Sequence, residues 1–231
     1  MTSRVTAQVT SRAHAARTLR LRGPAGAIQG IQESPSARDP AGIALLCHPH
    51  PLHGGTMDNK VVRTLARSFL SLRCVAVRFN FRGVGESAGS YGDGVGETED
   101  ALAVAAWARL QWPELRLYLG GFSFGALVAL KAAPQLVTAG LVTVAPPVAS
   151  IAGRIDQPRC PWLIVQGDND DVVDADAVVE WLNSLEPGPN LRIMSGAEHF
   201  FHGRLIELRN MVIEFFQPEI SSRLRPEPSA P

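Results

Sequence analysis

Gly121-Phe122-Ser123-Phe124-Gly125 sets a serine between glycines two positions to either side. It lies after the apolar run Leu115 to Gly121 and before a stretch with helical spacing, Phe124 to Ala133. A serine forced into a sharp strand-to-helix turn sits on strained backbone, and its neighbours at two positions must be small because the chain folds tightly there. Such a turn lifts Ser123 Oγ clear of the sheet's carboxyl edge. It also aims the first N–H groups of the helix, with their positive dipole end, at the place where an oxyanion would form. The backbone N–H of Phe124 is the first such donor. A Gly-Ser-Gly turn in isolation carries little information; the strand before it and the helix after it give this one its weight.

A serine hydroxyl is a poor nucleophile until a base takes its proton, so an acid and then a histidine are expected further along, each just past a strand. Both occur. "PWLIVQG" is followed by Asp168, Asp170 and Asp171, and "LRIMS" by His199 and His202. The order serine, aspartate, histidine matches one known arrangement of such triads. On the residues alone the three aspartates compete for the orienting role and the two histidines for that of base.

A second concentration of chemistry is "LCHPHPLHGG", where His48, His50 and His53 share one short loop. Neutral imidazoles at this spacing could bind zinc. His48-x-His50-x-x-His53 nearly spells the H-x-H-x-D-H cluster of binuclear metallo-hydrolases. Leu52 stands where that cluster has its aspartate, however, and too few ligands remain for a second ion, so hydrogen bonding within the loop is the better reading of His48 and His53. Gly83-x-Gly85-x-x-Ala88 follows a strand, but "SAGSYGDGVGE" comes next where a dinucleotide site would open a helix directly. No organic cofactor and no metal are expected.

The elements that must position these residues follow from hydrophobic patterning. "RTLRLRG" and "AIQGIQE" alternate apolar with polar residues around a Gly-Pro-Ala-Gly turn, as an antiparallel hairpin with one wet face does. Next come the nearly continuous apolar runs "GIALLC", "CVAVRFNF", "LRLYLGG", "AGLVTVA", "PWLIVQG" and "LRIMS", the signature of strands buried on both faces of a parallel sheet. Helical spacing is predicted over 59–72, 97–110, 124–133, 174–185 and 203–216. The alternation implies right-handed crossovers and helices on both faces of the sheet. The 231 residues, 45% of them apolar, suit one domain with a core of about 17–216. Tails over 1–16 and 217–231, the latter Pro-rich, are expected to fray.

Twenty-two basic residues balance twenty-two acidic ones, which removes the positive field that nucleic acid or an anionic membrane would need. Neither is an expected partner. The N-terminus lacks the apolar stretch of a secretory signal, and three widely spaced cysteines argue for a reducing compartment, so the cytoplasm is expected.

Taken together these motifs resemble the α/β-hydrolase superfamily, in particular small cap-less bacterial serine hydrolases with an HPHP…GG oxyanion loop. The resemblance spans about 17–216 and implies a mostly parallel sheet of about eight strands. Gly167-x-x-Asp170-x-x-Val173 fits the family's G-x-x-D-x-x-V and selects Asp170, with Asp171 and then Asp168 behind it. Gly196-x-x-His199-Phe200 fits its G-x-x-H-F and selects His199 over His202. Arg82-Gly83-Val84-Gly85-Glu86-Ser87 resembles the R-G-x-G-x-S loop after the fourth strand. His48 occupies the family's H-G position after the third strand, but Pro49 replaces the glycine. Proline has no N–H to donate, so the second oxyanion amide falls to His50, with Leu52 as alternate.

The resemblance implies a serine esterase acting on small or short-chain carboxylic esters through an acyl-enzyme intermediate. Lactones, thioesters and peptides present the same electrophile, and a non-catalytic binding module is the rival from another class. Only "PPVASIAGRIDQPRC" separates "LVTVA" from "PWLIV", so the helical lid that many relatives insert there is not expected. Leu52, Phe124, Pro147 and Phe200 are the expected substrate contacts, with Phe122 and Phe201 as further candidates for apolar walls.

Overall fold

The computed structural model describes residues 15–151 and 156–223. Its eight strands are β1 (Ala15–Gly23), β2 (Gly26–Ser34), β3 (Gly42–Cys47), β4 (Cys74–Phe79), β5 (Arg116–Phe122), β6 (Gly140–Val144), β7 (Trp162–Gly167) and β8 (Asn190–Met194). They form one sheet in the order β1-β2-β4-β3-β5-β6-β7-β8. β1 and β2 form the expected antiparallel hairpin, β2 meets β4 antiparallel, and every pairing from β4 to β8 is parallel.

Burial follows from the composition of the strands. β3, β4, β6 and β7 are buried along their whole length, as strands covered on both faces must be. One face is covered by α1 (Lys60–Ser71) and α5 (Leu205–Arg223), which bury Val62, Leu65, Phe69, Leu208, Val212 and Phe216. The other is covered by α2 (Val95–Gln111), α3 (Phe124–Ala132) and α4 (Ala175–Asn183), through residues such as Val104, Val128 and Val178. The apolar residues of α1 recur at three- and four-residue spacing, so they fall on one stripe. α3 is buried nearly all round. Each fully buried aliphatic side chain on these stripes contributes about 1.5–3 kcal/mol relative to exposure. No helix among the described residues is long and apolar enough to cross a membrane.

All five helices lie where the spacing predicts, with one correction at the C-terminus. Residues 217–223, read as frayed, continue α5 through Pro218. The last turns are held by tertiary contacts: Ile220 is buried against the α1 side of the core, and Glu219 accepts hydrogen bonds from Arg116 and Tyr118. The expected tails over 1–14 and 224–231 lie outside the described residues, and Ala15 and Ala16 belong to β1.

The register delivers the chemistry to one edge. Cys47 pairs with Gly121, Phe122 with Val144, and Gly167 with Met194, so the carboxyl ends of β3, β5, β6, β7 and β8 stand side by side. The loops leaving those ends carry His48 to His53, Ser123, Pro147, Asp170 and His199.

Candidate active site

Ser123 joins β5 to α3 with φ 54° and ψ −122°, a conformation that costs a non-glycine residue about 1–3 kcal/mol. Two hydrogen bonds hold it there: its N–H donates to Val144 O at 2.8 Å, and its own carbonyl accepts from Ala126 N at 2.8 Å. The flanking glycines are required sterically. A Cβ on Gly121 would stand 2.0 Å from Gly125 O, and one on Gly125 would stand 2.3 Å from Cys47 O. The strain is therefore imposed by close approach of three backbone segments. Ala145 and Phe201, with φ 47° and 52°, place further left-handed backbone in the loops after β6 and β8.

His199 leaves β8 five residues past Met194 and is almost fully buried. Its Nε2 lies 3.1 Å from Ser123 Oγ, and its Nδ1 lies 2.8 and 3.0 Å from Asp170 Oδ2 and Oδ1. Three side chains separated by 47 and 29 positions thus form one hydrogen-bonded chain. The Asp170 carboxyl also accepts from the Val172 and Val173 amides at 2.9 and 2.8 Å and from Gln166 Nε2 at 3.1 Å. Burial alone would raise its pKa. The hydrogen bonds from His199, Val173 and Val172, with the nearby imidazole charge, outweigh burial and hold it below the usual carboxylate range. The rival acids have other work or none: Asp168 accepts from Gly196 N–H, and Asp171 lies exposed. His202 is exposed, near Glu198.

Residues 44–209 match the family model described as the alpha/beta hydrolase domain. This chain belongs to that family. A solved structure from Xanthomonas campestris, described as an α/β serine hydrolase without a lid, is 39% identical with a TM-score of 0.84, covering 97% of this chain and 100% of the other. An α-β serine hydrolase homologue from Coxiella burnetii is 43% identical with a TM-score of 0.82, covering 92% and 99%. An uncharacterized protein of Rickettsia prowazekii, RP471, is 34% identical over 204 residues, 84% of this chain and 85% of its own. As a member of the family, the chain is a hydrolase.

In this hydrolase the three-histidine loop divides its labour. His48 is fully buried and turned away from the other two: its Nδ1–H donates to Pro49 O at 2.7 Å and its Nε2 accepts the Phe81 N–H at 3.0 Å. Burial pushes its pKa down to about 4, against a weaker opposing effect of the Pro49 carbonyl. His50 and His53 stack with ring centroids 4.4 Å apart. Among the described residues no three His, Cys, Asp or Glu side chains are placed to hold a metal ion. Leu52 N–H is turned toward His50 Nδ1 at 3.3 Å, whereas the His50 N–H meets no acceptor among the described residues.

A cavity of about 640 Å³ opens beside Ser123, walled by Phe124, Leu127, Pro147, Val148 and Val172, with His50 at its edge. Of the four expected substrate contacts, Phe124 and Pro147 line this cavity. Leu52 and Phe200 do not line it; both are exposed, and Phe200 packs edge-on against His199. Phe122 and Phe201 are fully buried core residues rather than walls, because the alternation along β5 and the turn after His199 point them into the α1–α5 side of the sheet. Two residues at the site escaped the sequence reading. Gln166 looked like the end of a buried strand, although a polar residue in that apolar run was a signal. Tyr91 contacts His50 from a loop with no recognised pattern.

Proposed function

We propose that this hydrolase cleaves small or short-chain carboxylic esters through a covalent acyl-enzyme, with Ser123 as nucleophile, His199 as general base and acid, and Asp170 as the group that orients it. The single observation that carries this reading is the unbroken line Ser123 Oγ–His199 Nε2 at 3.1 Å and His199 Nδ1–Asp170 Oδ2 at 2.8 Å. Both lie within the range over which a base takes a proton.

With Asp170 ionised, Nδ1 carries the imidazole proton and Nε2 is left as the acceptor facing the serine. Ser123 Oγ attacks the acyl carbonyl while its proton passes to His199 Nε2. The imidazolium is stabilised by the buried carboxylate, which its other donors keep charged. The carbonyl oxygen becomes an oxyanion received by the N–H groups of Phe124 and His50. His199 then gives its proton to the departing alkoxide, takes one from a water that attacks the acyl-serine, and returns it to Ser123 Oγ as the acid leaves. The apolar walls beside Ser123 suit an acyl group, and the acyl substrate is the only partner the site requires.

The test is labelling with a fluorophosphonate together with hydrolysis of aryl esters of increasing acyl length. Ser123-dependent labelling and turnover that falls off with long chains are expected. Absence of labelling, or turnover that survives Ser123→Ala, would refute the reading.

A further inference from the structure

We propose that Tyr91 and the His50 imidazole are positioning residues for the oxyanion loop, the ring acting as a peg that holds the turn presenting the His50 N–H. This deepens the functional reading above and rests on it.

The 3-10 turn Pro51–His53 is closed on itself by the His53 and Gly55 N–H groups on His50 O, at 3.1 and 3.0 Å, and by Gly54 N–H on Pro51 O at 3.3 Å, while neither Pro49 nor Pro51 has an N–H to tie it elsewhere. What ties the closed turn to the rest of the site is the ring of His50. Nδ1 accepts the Leu52 N–H at 3.3 Å, which leaves Nε2 as the protonated nitrogen, and Nε2 lies 3.2 Å from Tyr91 Oη. Donation from Nε2–H to Tyr91 Oη leaves the phenol its own proton, which burial and then the neighbouring Asp93 carboxylate help it to keep by raising its pKa. One tautomer therefore satisfies the series Leu52 N–H to His50 and His50 to Tyr91.

The ring is clamped on its faces as well. It stacks on His53 at 4.4 Å and tilts against Phe124 and Tyr91 at 4.9 and 5.0 Å. Phe124 supplies the other candidate oxyanion amide, so one imidazole touches both sides of the hole. Partial burial and the neighbouring His53 lower the His50 pKa against the opposing pull of Glu97 and Asp93, which favours the neutral ring the series needs. Asp93 has φ 59°, and the loop carrying it is tied down by buried Glu97, whose carboxylate accepts from the Gly92 and Gly94 N–H groups at 2.8 Å. The peg is thus braced from α2.

An amide aimed in advance acts on the transition state more than on bound substrate, so loosening it should appear in kcat. Tyr91→Phe keeps the ring stack and removes the acceptor; kcat should fall about tenfold with KM unchanged, as a small misplacement of a catalytic group costs. The affinity of an aryl boronate, which mimics the tetrahedral intermediate, should fall by the same factor. At position 50, an Asn oxygen can replace Nδ1 and accept the Leu52 N–H, whereas a Gln amide replaces only Nε2. His50→Asn should therefore exceed His50→Gln and His50→Ala in kcat. Wild-type turnover with an unmoved kcat and boronate affinity in Tyr91→Phe, or equal kcat in the Asn and Gln variants, overturns this proposal alone. Absence of Ser123-dependent turnover in the wild type overturns the functional reading and this proposal with it.

Discussion

Acidification should weaken this fold through His48 before its carboxylates matter. The ring is sealed between Pro49 O, which takes its Nδ1–H, and the Phe81 N–H, which points at its Nε2. A second ring proton would set donor against donor on a side chain sealed from solvent. The folded-state pKa is accordingly about 4, against 6.5 for an unperturbed imidazole. Because the folded value is the lower one, the unfolded chain binds more protons between these limits. Stability is then fully present above pH 6.5 and is lost as pH falls toward 4. At about 1.36 kcal/mol per pH unit the whole effect is about 3 kcal/mol, of which about 2 kcal/mol falls between about pH 7 and pH 5. Asp170, whose pKa is held below the carboxylate range, loses its stabilisation only at lower pH. The comparison is urea unfolding of wild type and His48→Gln at several pH values across that window. Glutamine can still accept the Phe81 N–H but has no proton to gain. It should cost about 1 kcal/mol at neutral pH for the lost bond to Pro49, and its stability should fall by about 2 kcal/mol less than that of wild type on going from pH 7 to 5. Parallel stability–pH curves for the two proteins would show that His48 does not hold the loop as a neutral ring.

Asp170→Asn should fold, because an amide oxygen still accepts the Val172 and Val173 N–H groups, but its NH2 would face His199 Nδ1 and force the proton to Nε2. Steady-state ester hydrolysis should then show kcat reduced by on the order of 10^4. Ser123→Gly removes the proposed nucleophile yet relieves the positive φ, so its urea midpoint should rise by the equivalent of about 1 kcal/mol; a fall would mean that the elbow stores no strain. Gly125→Ala puts a methyl against the Cys47 and His48 carbonyl oxygens, at 2.3 and 2.5 Å, and should cost more than about 2 kcal/mol by calorimetry. A variant as stable as wild type would refute the close-packing account of that glycine.

Sequence patterns revealed those parts of this protein whose physics is local. A strand buried on both faces has no polar side to show, so β3, β4, β6 and β7 were visible as apolar runs, and the amphipathic stripe of α1 was visible for the converse reason. The elbow could be read because its steric demand falls on residues two positions away. Asp170 could be separated from Asp168 and Asp171 only through the family's spacing. What distinguishes it physically, the paired Val172 and Val173 amides and the reach to His199, exists only after the loop has closed.

Where the energetics are non-local, the same patterns misled or were silent. Pro218 and the prolines beyond it made 217–231 look like a tail, since a proline inside a helix removes one bond and crowds the preceding turn. That penalty is local, and it is outweighed at 219 and 220, where a carboxylate meets Arg116 and Tyr118 and an isoleucine enters the core. Tyr91 and Gln166 present the same lesson at the candidate site. Tyr91 reaches His50 across 41 positions, and Gln166 Nε2, with two protons to give, lies within hydrogen-bond distance of Gly167 O, Asp170 Oδ2 and Val173 O. The first contact is remote in sequence, and the second, though it spans only eight residues, depends on the loop after β7 folding back over the strand end. The residues that perform bond chemistry must have a particular type and can be found by type. Those that hold them in place need only arrive at the right point with a donor or acceptor, and many sequences can supply one there. The supporting residues are therefore the part of such a site that coordinates reveal and motifs do not.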